Sequence, residues 1–343
     1  MKITILGAGN TGKANAVFLT QHGHQVILYD RSPSRLEPIT EKGITATGCI
    51  EGLFHIPATT ALSMAVKGSD LILVCTVASG HRPLAAALQG LLEPGQNILI
   101  TNGCWGAVEF EQELGKEAAI KDCIISETNG QLILCNSPTP DSIYLKTIKK
   151  QISFSCTDPT KNQSLLEYLH PLFPQLYPAP SVLYTSLNNS NPISHGPLAL
   201  FNLTRMENGE DFLLFGTGAT PRVTRFMEKI DQERVNVVRA CGIEAPTQLE
   251  MLNAFWPQKQ KNLYDVFHNT AAYSVTKGPT TLEHRYLSED LPYGLVPYIH
   301  LGKKLGIETP CLYTLVQIIS LYMETDYLSM GPCLEKLNFS CYI

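Results

Sequence analysis

The chain has 343 residues, 44% hydrophobic and 17% charged, the composition of an ordinary folded protein long enough for two domains. A formal net charge of −5 and a pI near 6.0, with no basic run, exclude the basic face that a nucleic-acid partner needs. The longest apolar run, residues 71–78, is far short of a membrane span, so no membrane partner is expected.

The ten cysteines are scattered, none in a C-x-x-C pair, and read as reduced thiols of a cytoplasmic protein. Met1-Lys2 leads straight into an apolar segment, so no cleavable signal peptide is expected. At the other end, Ser340 stands where a prenylation motif needs cysteine.

In chain order, Ile3, Ile5 and Leu6 form a short strand that ends on Gly7-Ala8-Gly9-Asn10-Thr11-Gly12. That is G-x-G-x-x-G placed after a strand and before a helical pattern, residues 13–21. Gly7 permits the tight turn, Gly9 lets the backbone approach a pyrophosphate, and Gly12 lets helix and strand pack closely. The N–H groups at the helix start supply a positive dipole end for phosphates. A second strand, residues 25–29, ends on Asp30, 18 residues past Gly12, where a carboxylate meets an adenosine ribose.

Residues 36–42 read as a helix, residues 43–57 as a small hairpin excursion, and residues 60–67 as a further helix. Residues 71–77 are continuously apolar, as in a strand buried on both faces, with Cys75 inside it as a small hydrophobe. A helix over 83–92, a strand over 97–100, a glycine-bearing turn over 101–106, a helix over 108–114 and a strand over 123–126 follow. This alternation predicts an α/β fold, a Rossmann-type doubly wound parallel sheet. Residues 131–156 read instead as successive strands. Pro171, Pro174, Pro178 and Pro180 then mark an irregular edge or an approach to a linker.

Beyond that point long helical patterns dominate: residues 221–240, 247–253, 295–305 and 310–324. The expected division is a dinucleotide-binding domain over 1–182 and a mostly α-helical substrate domain over 183–343. Two stretches there carry candidate chemistry. His195 lies in a polar stretch rich in Asn and Ser, where an imidazole suits acid–base work, although a capping or solvent-facing histidine is the plainer reading of position alone. Arg285 can grip a carboxylate through two N–H bonds, and Glu289 or Asp290 can orient a histidine, unless residues 283–294 are simply a solvated charged turn. Gly278-Pro279 reads as a backbone device. No metal-ligand spacing, nucleophile elbow or Walker lysine is present.

Taken together, these motifs resemble the opine dehydrogenases, the family of octopine, nopaline and N-(1-carboxyethyl)amino-acid dehydrogenases, and in size the shorter bacterial type. The resemblance rests on Gly7 to Gly12; on Asn102, Gly103, Gly106, Glu109 and Phe110; on Ser126, Glu127 and Thr128; and on Leu187, Asn188, Asn189, Asn191 and His195. It continues through Gly278-Pro279, Arg285, Tyr286, Glu289, Asp290, Gly294 and Pro297 to Thr325, Asp326 and Tyr327.

The resemblance implies an NAD(P)H-dependent reductive condensation of an L-amino acid with a 2-oxo acid such as pyruvate, in a cleft between two domains. It also implies that His195 is the catalytic histidine, Asp290 its carboxylate partner, and Arg285 the holder of the oxo-acid carboxylate. Two departures stand out. His195-Gly196-Pro197 replaces His-Pro, which would alter how a helix after His195 starts. Cys135-Asn136 replaces Cys-Arg, which removes a positive charge and points to an unusual substrate.

For the cofactor, the glycine turn with Asn10 and Thr11 serves either nicotinamide dinucleotide. Asp30 favours NAD(H), while Arg31, Ser32 and Arg35 can hold the 2′-phosphate of NADP(H); the balance tilts slightly to NAD. A homodimer would be ordinary. One competing reading is a 2-oxo-acid reductase of the ketopantoate reductase type, which would want a lysine where this chain has His195. The other is a non-catalytic nucleotide sensor.

Overall fold

The computed structural model describes residues 1–256, 258–332 and 334. Cys333, Cys341 and the reading of the last four residues lie outside the described residues. Among the described residues twelve strands are formed: β1 (Lys2–Leu6), β2 (Gln25–Tyr29), β3 (Ile44–Gly48), β4 (Gly52–Phe54), β5 (Ala58–Thr59), β6 (Leu71–Val74), β7 (Asn97–Ile100), β8 (Ile124–Thr128), β9 (Ile133–Asn136), β10 (Ser142–Ile148), β11 (Ile152–Cys156) and β12 (Leu176–Pro178).

Eight of them build one sheet in the order β12-β11-β8-β7-β6-β1-β2-β5. All neighbours are parallel except β8 and β11. Strands β6 and β7 are buried along their whole length, as continuous apolar runs require when helices cover both faces. Cys75 lies one residue beyond β6 rather than inside it, and burial pushes its thiol up to about 12. Such a thiol is inert.

The excursion after β2 is the hairpin β3–β4, and it joins β10 and β9 in a separate four-stranded sheet. Lys13, buried in the helix after the glycine turn, sends its ammonium to the Pro140 and Ser142 carbonyls of the β9–β10 turn, at 2.8 and 3.1 Å. Proline-rich residues 171–180 form an edge: Pro178 ends β12, the outermost strand, where a missing N–H costs no ladder bond.

Several helices differ from their expected spans, and two of the differences have a clear physical reason. The one expected over 83–92 is His81–Leu88, stopped before Gly90, whose φ is +77°. The one expected to stop at Leu114 runs over Gly106–Ile120, because Phe110, Leu114 and Ala118 continue one buried stripe and a single glycine costs a helix only about 1 kcal/mol.

The chain divides into two compact units, one over residues 1–186 and a second starting at Leu187. Within the described residues the second is helical, with a single isolated bridge, Leu213 to Lys277. Its helices include Ser190–Leu200, Pro221–Ala240, Gln248–Phe255, Val296–Leu305 and Pro310–Tyr322. Gly278 allows the bridge: a Cβ there would lie 2.1 Å from the Phe212 ring. No described helix is long and apolar enough to cross a membrane.

Candidate active site

The nucleotide-type turn is set by steric necessity at two glycines and by open space at the third. Gly7 has φ +110°, and a Cβ there would sit 3.1 Å from the Cys75 carbonyl group. A Cβ on Gly12 would lie 1.8 Å from the Gly7 carbonyl oxygen, so strand and helix meet only through glycine. A Cβ on Gly9 would meet nothing within 4 Å. The fold gives no reason for glycine there, whereas a phosphate approaching the backbone does.

The helix Asn10–Gln21 begins at this point with no side-chain cap on its first turn. The N–H groups of Asn10, Thr11 and Gly12 are therefore those a helix leaves without intrahelical partners. Asp30, at the end of β2, accepts the Ala8 N–H and the Ser32 N–H, both at 2.9 Å. It is buried, with the Arg35 guanidinium 3.8 Å away and Arg31 exposed beside it. The residues present fit a dinucleotide: an anion-binding turn, an open Gly9 and a carboxylate at the ribose position.

The turn after β7 is built differently. Asn102, Cys104 and Trp105 all have positive φ, at +53°, +45° and +73°. Such a run in non-glycine residues persists only when the surroundings over-determine it. Here the Asn102 N–H donates to the Thr128 hydroxyl at 2.9 Å, the Gly103 N–H to the Thr128 carbonyl at 2.8 Å, and the Trp105 N–H to the Ser186 hydroxyl at 3.1 Å.

Fully buried Glu127 closes the arrangement. It accepts the Ala107 N–H at 2.9 Å and faces the Thr185 and Ser186 hydroxyls at 2.7 and 2.6 Å. Burial raises its pKa despite these bonds. Nearby, burial also drives Glu109 up to about 7, and its first-turn carboxylate lies 3.7 Å from Arg82. His81, likewise buried, is driven down to about 4.

In the second unit, His195 is not in a loop. It lies in the middle of helix Ser190–Leu200, which Asn189 caps by accepting the Asn191 N–H at 3.0 Å. The expected effect of Gly196 on a helix start is therefore corrected: no helix begins there. A Cβ on Gly196 would lie 2.5 Å from the end of the Leu295 side chain, and a Cβ on Gly294 would lie 2.3 Å from the Pro192 ring. These two glycines bring the helix against residues Asp290–Leu295, which form one π-helical turn. Residues 283–294 are thus no solvated loop: helix Arg285–Ser288 runs into that turn.

At this close approach the His195 Nδ1 meets Asp290 Oδ2 at 2.8 Å, with 14% of the histidine side chain and 2% of the aspartate exposed. A carboxylate on Nδ1 fixes that nitrogen as the protonated one and leaves Nε2 for chemistry. Tyr286 stacks on the imidazole, centroids 3.9 Å apart and planes 24° from parallel. His284 meets Tyr286 edge-on, with centroids 4.3 Å apart. Arg285 pairs through Nε with Glu289 at 3.1 Å.

The sequence-derived residues thus form two groups, Gly7 to Gly12 with Asp30 and Arg31, and His195 with Asp290, Arg285 beginning the helix that leads to Asp290. The bonding role of Glu127, the place of His284 and the stacking of Tyr286 are not readable from the sequence. The signals available were an acid ending an apolar strand and an aromatic next to the arginine.

Comparison with known proteins bears on the family and the fold. The family model for the NAD/NADP octopine/nopaline dehydrogenase alpha-helical domain matches residues 178–323, and that of ketopantoate reductase PanE/ApbA matches residues 3–131. An opine dehydrogenase of Arthrobacter sp. (strain 1C) is 33% identical over 340 residues, 98% of this chain and 94% of that protein. A D-nopaline dehydrogenase of Agrobacterium vitis is 25% identical, over 85% of this chain and 79% of that protein.

Among solved structures, octopine dehydrogenase in complex with NADH and agmatine superposes with a TM-score of 0.77 at 14% identity, over 94% of this chain and 90% of that one. Yersinopine dehydrogenase with NADP+ bound gives 0.77 at 16% identity, over 94% and 91%. These two show the fold. On its sequence relationship, the chain belongs to the opine dehydrogenase family and is an NAD(P)H-dependent oxidoreductase that forms opines.

Proposed function

We propose that this enzyme joins the amine of an L-amino acid to a 2-oxo acid, with His195 and Asp290 handling the protons and Arg285 holding the oxo-acid carboxylate. The observation that carries the reading is the 2.8 Å contact between His195 Nδ1 and Asp290 Oδ2. It joins residues 95 apart in the chain at a close approach that two glycines make possible.

The turn Gly7 to Gly12, with the N–H groups of Asn10 and Thr11, takes the pyrophosphate, and Asp30 takes the adenosine ribose. The bound nicotinamide supplies hydride to the substrate carbon. Attack of the amine on the ketone gives a carbinolamine, and loss of its hydroxyl as water requires one proton. His195 donates that proton from Nε2, and Asp290 stabilises the charged ring until it does so. Arg285, steadied by Glu289, sets the oxo acid by a two-point bond to its carboxylate.

NAD(H) is the proposed cofactor, because buried Asp30 sets a negative charge where NADP carries its 2′-phosphate; exposed Arg31 and Arg35 are what would admit NADP(H). The free cysteines suit a reducing cytoplasm, and a homodimer is the proposed assembly.

The test is the initial rate of NADH and of NADPH oxidation with a 2-oxo acid alone, with an amino-acid panel alone, and with both. A rate that needs both substrates supports the reading. Turnover with the 2-oxo acid alone would move the enzyme to simple ketone reduction.

A further inference from the structure

The aromatic column in the second unit is not accounted for by the proton-transfer pair alone. His195 is held at Nδ1 by Asp290, which fixes one edge of the ring but leaves its plane free to swing about that bond. Tyr286 removes the freedom. Its ring lies 3.9 Å from the imidazole centroid at 24°, and His284 packs on it in turn at 4.3 Å and 77°.

His284 is itself fixed, since its Nδ1 accepts the Tyr286 backbone N–H at 3.3 Å. A nitrogen that accepts this bond carries no proton, and burial, then the neighbouring His195 and Arg285, lowers the His284 pKa. The Tyr286 phenol is pushed up to about 12 by burial and by Asp290, so its ring stays neutral as well. A cation over the face of a neutral phenol ring within about 6 Å is attracted to it.

We propose that Tyr286 is a positioning residue whose ring face both orients the His195 imidazole and favours its protonated form. This rests on the reading of His195 as the proton donor. Asp290 supplies part of the effect, and the helices packed on the His195 helix add no free charge through the residues that follow. Helix Pro221–Ala240 packs on the His195 helix, but its Asp231 and Arg234 are closed on each other at 2.8 Å. Helix Gln248–Phe255 presents Gln248, which is neutral and donates to the Ser194 hydroxyl at 2.8 Å. Helix Pro310–Tyr322 carries no charged residue. Arg285, with Glu289 on its Nε, opposes a charge on the ring, and Asp290 favours one.

The test uses the full chain labelled with 15N-histidine, the His195 resonance being assigned by its loss in His195→Ala. Tyr286→Phe keeps the ring face, whereas Tyr286→Leu and Tyr286→Met remove it, Met being the less disruptive if Leu impairs folding. The His195 resonance is expected to titrate about half a pH unit lower in the Leu and Met variants than in wild type and Tyr286→Phe. The fall of the two-substrate rate with rising pH should move by the same interval.

Titration at the wild-type pH in the Leu or Met variant would overturn the proposal. So would an equal displacement in Tyr286→Phe, which would credit the hydroxyl rather than the ring. A displaced resonance in a protein that turns over no amino acid and oxo-acid pair would leave the stack standing and remove the assigned function instead.

Discussion

The glycine turn of the first unit and the His195–Asp290 pair of the second solve the same problem, bringing groups close, in opposite ways. The turn is local: Gly7, Gly9 and Gly12 remove Cβ atoms within six consecutive residues, and the backbone itself is the binding group. The pair is non-local. Its residues come from two helical segments far apart in sequence, and the glycines that let them meet, Gly196 and Gly294, lie beside the functional residues rather than among them. A site made of backbone tolerates almost no added atom. A site made of side chains depends on what packs behind them.

Gly12→Val breaks the local side of that contrast most severely. Its Cβ would overlap the Gly7 carbonyl oxygen, so about 4 kcal/mol of stability should be lost in urea unfolding, together with NAD(H) binding. The turn after β7 sits between the two designs, local in sequence yet held by a distant carboxylate. Glu127→Ala leaves the Ala107 N–H and two buried hydroxyls without that carboxylate and should cost about 3 kcal/mol in the same measurement.

Glu109 gives that region a pH signature. Its folded-state pKa, about 7, lies above the ordinary carboxylate value, so the folded protein holds the proton more tightly than the unfolded chain. The stabilisation is complete below about pH 4.5 and is lost as pH rises to 7, a change of roughly 2–3 kcal/mol. Glu109→Gln should flatten this part of the stability curve, and an unchanged slope would contradict the assignment. The smallest effect on stability is expected at Gly9→Ala. Within the chain nothing meets the added methyl, so unfolding should shift by less than about 0.5 kcal/mol while NAD(H) binds about tenfold more weakly.

The same contrast explains what was legible in the sequence. G-x-G-x-x-G, the apolar strands and Asp30 announce themselves because each depends on near neighbours in the chain. Residues 188–197 mislead, since Asn188, Asn189, Pro192, Gly196 and Pro197 all look like turn formers. In the fold, Asn189 is a cap, and Pro192 sits in the first helical turn, where no intrahelical N–H bond is required. Gly196 is spent on Leu295, a partner that no local pattern reveals. Glu127 and Tyr286 are hidden for a related reason: what each does depends on partners from other segments.

The measurement that bears most directly on the role given to this pair is turnover and NADH affinity of Asp290→Asn, on one preparation, with amino acid and 2-oxo acid both saturating. The account predicts an unchanged Kd for NADH and a kcat lowered by about 10²–10⁴-fold, because Asn keeps the bond to Nδ1 while removing the charge that supports the protonated ring. Turnover within a few-fold of wild type would contradict it and take the proton-transfer role away from His195 and Asp290.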